Sequence, residues 1–249
     1  MIYKLTVMKH IILFLMRRTL LLCIILGVVI MSVWWLKFQK KLRMKWYMAP
    51  IFSILHFLAG LVLMKFWALV EVGFVWEKSV SMRLFGAAFF LPPLYYFGAK
   101  LSKRDAILVM DISAVCNLIG LFVGRVNCMM AGCCEGFLIN DNLRWPLREI
   151  EMIYCVIFVL YFWQRIYKQK TNGSALPIML ISYGALRFVL EWFREEYTGE
   201  LGFLHLAHIW SLIAIVEGCI MYYWIMKKNK LHKERVDRKL LEKGGNKNG

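Results

Sequence analysis

Tyr183, Arg187, Glu191 and Arg194 place a phenol, two guanidiniums and a carboxylate in a stretch otherwise rich in Leu, Phe, Val and Trp. At ~100° per residue the four positions fall within about 80° of one another, so a helix would carry them as one narrow polar stripe. A charge deep in hydrocarbon costs at least ~2.5 kcal/mol, and a stripe of several is kept for partners or for function. Two readings stay open. Arg187 and Glu191 are four residues apart and can pair, locking two helices together. Alternatively, the phenol and the two guanidiniums bind a phosphate headgroup, because the arginine fork matches phosphate oxygens in two-point contacts.

A second constellation runs from Gly124 to Gly136 and holds Arg125, Asn127, Cys128, Gly132, Cys133, Cys134 and Glu135. Its three glycines permit a backbone that leaves the helix at membrane depth. Arg125 shares a helical face with Asp111. Arg144, Pro146, Arg148, Glu149 and Glu151 then lead into the next apolar run. The cysteines allow three readings. With Glu135 they offer four ligands for zinc, but the paired C-x-x-C spacing is absent and no His is near. Beside Arg125 they could form a redox pair facing the outer compartment. Most simply, they are small residues that permit close packing.

The elements that must position these groups are helices in a bilayer. Of 249 residues, 60% are hydrophobic, which exceeds what a soluble domain of this size can hide. The formal charge of +16 lies mainly between apolar runs and in the tail, so it reads as topology and attraction to anionic lipid rather than as nucleic-acid binding. A span needs about 20 apolar residues. The pattern predicts an all-α, polytopic membrane bundle of seven spans near 19–36, 47–70, 84–99, 106–124, 152–167, 174–192 and 206–226. Pro92 and Pro93 predict a kink or break in the third. Residues 2–16 read as an amphipathic interfacial segment.

Lysine and arginine set the orientation. Lys37, Lys40, Lys41, Arg43 and Lys45 follow the first span, Lys100, Lys103 and Arg104 the third, and Arg165, Lys168 and Lys170 the fifth. These loops and the tail read as cytoplasmic. The loop with Glu71, Glu77, Lys78 and Arg83 is balanced, and the segment from Glu191 to Glu200 is acidic; both face outward. An odd number of spans then puts the N-terminus outside. Residues 1–226 are expected to form one transmembrane catalytic domain, residues 227–249 a basic cytoplasmic tail, and Gly244 to Gly249 a disordered end.

Gly124-Arg125 with Gly132 and Gly136, the Arg144-x-Pro146 and Glu151 stretch, and Tyr183-Gly-x-x-Arg187-Phe-x-x-Glu191-x-Phe-Arg194 together resemble the prolipoprotein diacylglyceryl transferase family across roughly residues 80–220. The resemblance implies a bacterial cytoplasmic-membrane enzyme. It would transfer the diacylglyceryl group of phosphatidylglycerol to the thiol of a prolipoprotein lipobox cysteine, releasing glycerol phosphate, without metal or cofactor. It further implies Arg125, Tyr183, Arg187 and Glu191 as catalytic, with Cys128, Gly132, Cys133, Glu135, Gly136, Glu151 and Arg194 lining the substrate. This chain departs from the family in two ways. Cys128 and Cys133 fall where the family has asparagine and glutamate, and no histidine occurs between 57 and 204. A different acceptor, a cysteine-dependent membrane oxidoreductase and a non-catalytic lipid-binding bundle are the competing readings.

Overall fold

Asp111 sits one turn and a half into a long apolar helix, and its carboxylate explains how the bundle is registered. Both oxygens are used: Gly173 N donates to Oδ2 at 2.9 Å and Ala175 N donates to Oδ1 at 2.9 Å. Those amides belong to the start of another helix, where free N–H groups need acceptors. A buried carboxylate from one helix thus caps a second one sixty residues on. Gly173 reaches this position with φ +78, and a Cβ there would press on Ile107 and Ile225. Asn229 Nδ2 closes the same corner by donating to the Asn172 carbonyl at 2.7 Å.

The computed structural model describes residues 2–76, 84–140, 143–168, 172–195, 200–201 and 204–245. The expected outward loop with Glu77, Lys78 and Arg83, as well as Lys170, lies outside them. The described residues form seven helices: α1 (Ile2–Lys37), α2 (Met48–Glu71), α3 (Leu84–Leu101), α4 (Ala106–Ala131), α5 (Leu147–Tyr167), α6 (Ala175–Glu191) and α7 (Leu206–Gly245). Two small antiparallel sheets depart from the all-α expectation: β1 (Leu138–Asn140) with β2 (Leu143–Arg144), and β3 (Glu200–Leu201) with β4 (Leu204–His205). Within α1, α2, α4, α5 and α7 there is a stretch long and apolar enough to cross a membrane. The remaining two, α3 and α6, have 18 and 17 residues.

The helix in the middle is α4. Its apolar stretch is 72% buried, against 17–28% for the other four. Exposed Leu, Ile and Val on α1, α2, α5 and α7 are what a lipid-facing surface requires. Around α4 the core gathers Met31 and Trp34 of α1, Phe162 of α5, and Leu176 and Leu180 of α6. Trp34 stacks on Trp163 at 4.3 Å between centroids, joining α1 to α5. Backbones approach closely where side chains vanish. A Cβ on Gly184 would lie 3.0 Å from the Ser211 carbonyl of α7, and one on Gly218 3.0 Å from the Pro177 carbonyl of α6. On the other flank, a Cβ on Gly86 of α3 would overlap the Leu63 carbonyl of α2.

Several boundaries differ from the sequence reading. The backbone is helical from Ile2 through Lys37, so no break separates an interfacial segment from the first span. Likewise α3 runs through Pro92 and Pro93 without a break in its helical assignment. Helix α4 does not stop at Gly124 but continues to Ala131, where Gly132 at φ +64 supplies the left-handed cap. At the other junction α5 begins at Leu147 rather than 152, directly after Pro146. Helix α7 carries the basic tail onward to Gly245, since no proline interrupts it.

Replacing Asp111 with alanine strands two buried amides at the start of α6. Each unsatisfied group costs about 1–3 kcal/mol, so D111A is expected to lower the thermal midpoint in detergent markedly, with D111N intermediate. Equal midpoints for all three proteins would remove the clamp from this account.

Candidate active site

The end of α4 opposite Asp111 carries Arg125, fourteen residues and about 21 Å further along the axis. Asp111 and Arg125 are both buried, yet they serve opposite ends and do not pair. Arg125 instead meets Glu151, which the early start of α5 places one turn inside that helix. Its Nε forms an ion pair with Glu151 Oε2, and its Nη2 donates to Tyr183 Oη at 3.3 Å. The Tyr183 hydroxyl in turn donates to Glu151 Oε2 at 3.2 Å. Arg187 Nη1 lies 3.2 Å from Glu151 Oε1, so one carboxylate bridges two guanidiniums. Arg187 Nη2 also meets Glu191 Oε2 at 2.6 Å. All five side chains are buried.

The pairs between α5 and α6 are held by Tyr154, one turn past Glu151, whose hydroxyl hydrogen-bonds Ser182 Oγ at 2.7 Å. Helix α6 ends at Glu191, so Arg194 is not the next rung of a helical stripe as the sequence suggested. It lies in an isolated antiparallel bridge with Gly136. Even so, its Nη1 returns to 3.6 Å from Glu191 Oε2. Only a glycine fits at 136, because a Cβ would come 2.5 Å from Trp145 Cβ and 2.7 Å from its carbonyl. Phe137 N donates to the Phe193 carbonyl at 2.9 Å, so the segment after α4 and the segment after α6 are stitched together.

Cys128 is on the last turn of α4, not in a loop. Beyond the Gly132 cap, Cys133 N donates back to the Cys128 carbonyl at 3.2 Å. Cys134 takes φ +62, a left-handed conformation that is uncommon outside glycine, asparagine and aspartate. The three sulfurs of Cys128, Cys133 and Cys134 lie within 4.8 Å of one another and are half-buried. Arg194 Nη2 donates to Cys134 Sγ at 2.8 Å, while Arg125 Nη1 donates to Cys128 Sγ at 3.9 Å. A hydrogen bond from the Cys128 thiol, opposed by burial and helped by the Arg194 and Arg125 guanidiniums, pulls the Cys134 thiol down to about 4. Burial and the neighbouring Cys134 push the Cys133 thiol up.

Outside this centre sits a second ring of charge. Glu135 is held by Arg144 Nε at 3.2 Å and Arg148 Nη2 at 3.3 Å, and Arg144 also pairs with Glu195. Arg148 Nη1 donates to the Cys133 carbonyl at 3.3 Å. Arg148 was not singled out by the sequence; its spacing of three from Glu151 on one helix was the available signal. His208 is fully buried against Phe188 and Trp192, and its Nε2 has no hydrogen-bond partner among the described residues.

Of the sequence candidates, Arg125, Glu151, Tyr183, Arg187, Glu191 and Arg194 form one continuous network. Cys128 and Cys133 adjoin it through the arginines, Gly132 and Gly136 shape the backbone, and Glu135 stands one layer out. Among these six side chains three guanidiniums face two carboxylates, and the Cys134 thiol at Arg194, pulled down to about 4, brings a further negative charge to the same group.

The family profile described as prolipoprotein diacylglyceryl transferase matches residues 18–224. A relative from Paracidovorax citrulli, named "Phosphatidylglycerol--prolipoprotein diacylglyceryl transferase", is 25% identical over 181 residues, covering 64% of this chain and 65% of its own. One of the same name from a Polaromonas species is 26% identical over 178 residues, with 64% and 63% covered. Another from Dechloromonas aromatica is 29% identical over 183 residues, with 65% and 68% covered. The chain thus spans slightly under two thirds of the first two relatives' length.

Because Glu151 bridges Arg125 and Arg187, its removal leaves Arg125 buried without a carboxylate and Arg187 with Glu191 alone. Breaking such a pair costs about 3–5 kcal/mol. E151A is expected to lose most of its cooperative unfolding in detergent, and a variant as stable as the parent would show that the network is not structural.

Proposed function

The chain belongs to the prolipoprotein diacylglyceryl transferase family, and from that premise we propose that it transfers the diacylglyceryl group of phosphatidylglycerol to the thiol of a prolipoprotein lipobox cysteine. The observation that carries this reading is the convergence of Arg125, Arg187 and Arg194 on one buried network. The phosphodiester of phosphatidylglycerol brings one negative charge, and the arginine forks offer donors matched to its oxygens. Arg194 Nε is buried with no partner among the described residues, a donor available to such a ligand.

Arg125 and Arg187 hold the phosphodiester and take up the charge that grows on the departing phosphate. Glu151 and Glu191 aim the two guanidiniums, and the Tyr183 phenol fixes the first against the second. Such donors act before the reaction begins, so the site needs no reorganisation as charge develops. The acceptor sulfur forms a bond to the glyceryl carbon while that carbon's bond to phosphate oxygen breaks. Glycerol phosphate leaves with the bonding electrons, and the thiol proton passes to solvent. Arg194, Cys128 and Cys133 stand on the acceptor side, with Gly132 and Gly136 turning the backbone around it. Glu135, between Arg144 and Arg148, closes the rim.

The membrane arrangement follows from the same reading. All seven helices cross, the shorter α3 and α6 included, with residues 1–226 as one catalytic domain in the bacterial cytoplasmic membrane. The Arg125 network lies at the outer boundary and the Asp111 corner at the inner one, a separation that suits an acyl core ~30 Å thick. The N-terminus is then outside and the basic residues 227–249 cytoplasmic, as the lysine and arginine distribution supports.

Incubation of the purified protein with labelled phosphatidylglycerol and a lipobox peptide should move label onto the peptide cysteine, and R187A should slow this by roughly 10²–10³-fold, the usual loss for a charge-stabilising donor. Failure of the parent protein to label the peptide would reject the reaction. Fluorescence from a C-terminal green-fluorescent fusion checks the orientation; a dark fusion at normal expression would invert it.

A further inference from the structure

The family that the chain resembles has a histidine before α4 where this chain has none, and the structure puts three thiols beside the arginine network. We propose that Cys128, Cys133 and Cys134 form a site for a thiophilic divalent cation of the zinc class, with a fourth position open to the acceptor's thiol. The first half stands on geometry alone; the second rests on the transferase reading above.

Linear spacing argued against a metal, since no C-x-x-C pair occurs. Folding supplies what spacing does not. Cys128 ends α4, the Gly132 cap reverses the chain so that Cys133 N bonds the Cys128 carbonyl, and Cys134 adopts the left-handed conformation. The sulfurs end within 4.8 Å of one another. Zinc–sulfur bonds of ~2.3 Å in a tetrahedron place sulfurs about 3.8 Å apart, so closure around a cation requires a shift of about 1 Å or less.

Charge and surroundings agree. Three thiolates around a dication carry one net negative charge, and the Arg194 and Arg125 guanidiniums already point at Cys134 and Cys128 sulfur. Arg148 fixes the Cys133 carbonyl, an outer contact of the kind that orients metal ligands. Glu135, which the sequence offered as a fourth ligand, is instead occupied by Arg144 and Arg148. Three protein ligands with the fourth place vacant is the arrangement of a catalytic rather than a structural zinc centre.

The chemistry fills the missing step. A thiol that binds the cation gives up its proton to water, because coordination favours the thiolate. The bound sulfur then spends an electron pair on the glyceryl carbon as the carbon–oxygen bond to phosphate breaks, and the phosphate carries those electrons away. Arg125 and Arg194 each touch both the ion-pair network and the thiol group, so donor and acceptor would lie side by side.

Cobalt(II) titration of the purified, chelator-washed protein tests this. One equivalent is expected to bind with thiolate-to-cobalt charge-transfer absorption and to be displaced by zinc. C128S and C134S should each weaken cobalt binding by more than about 100-fold, since losing a direct ligand exceeds the 10–100-fold cost of losing an outer contact. C219S, outside the cluster, should bind as the parent does; helicity and gel-filtration profile report folding for each variant. A lipobox peptide should then shift the absorption, and its Cys-to-Ser counterpart should not. Absence of the charge-transfer band, or its survival in both C128S and C134S, overturns the metal site. An absorption indifferent to the cysteine peptide, or full-rate transfer by metal-free protein, overturns the open position while the transferase reading stands. A band that responds to the cysteine peptide in a protein that transfers nothing upholds the site and strikes the transferase reading instead.

Discussion

Glu151 is the residue on which the rest turns. Arg125 comes from α4, Arg187 from α6, and neither could remain charged among apolar helices without a shared anion between them. Glu151 reaches that position because α5 starts directly after Pro146 and brings its first turn alongside both helices. The carboxylate therefore does two things with one contact. It joins α5 to α4 through Arg125, and it joins α5 to α6 through Arg187.

The opposite end of α4 repeats the logic with different chemistry. There Asp111 satisfies backbone amides rather than side chains, so α6 is pinned at its beginning by α4 and at its end by the arginine network. Between these two polar anchors α6 runs against α7 with glycine at the crossings. Tyr183, Arg187 and Glu191 inherit their precision from that confinement. Helices carry these side chains and Cys128, while Cys133 and Cys134 occupy the turn that follows α4.

The helical bundle, the arginine stripe through Glu191, and the partnership of Arg187 with Glu191 were all legible in residue type and spacing. What spacing could not give was the bridging role of Glu151, whose partners lie 26 and 36 residues away in the chain. It also misplaced Arg194, because periodicity continued past a helix that hydrogen bonding had ended. Gly124 invited a break that did not occur: a glycine permits departure from a helix without compelling it, and of Gly124, Gly132 and Gly136 only Gly132 takes positive φ. The three cysteines looked like packing residues because their convergence depends on a reversal of the chain at that glycine.

The bridge between Gly136 and Arg194 joins two segments that the sequence keeps far apart. One carries Cys133 and Cys134 and the other follows the arginine helix, and backbone hydrogen bonds join them. A strain put on either segment is therefore passed to the other through main-chain bonds, whatever side chains each of them carries.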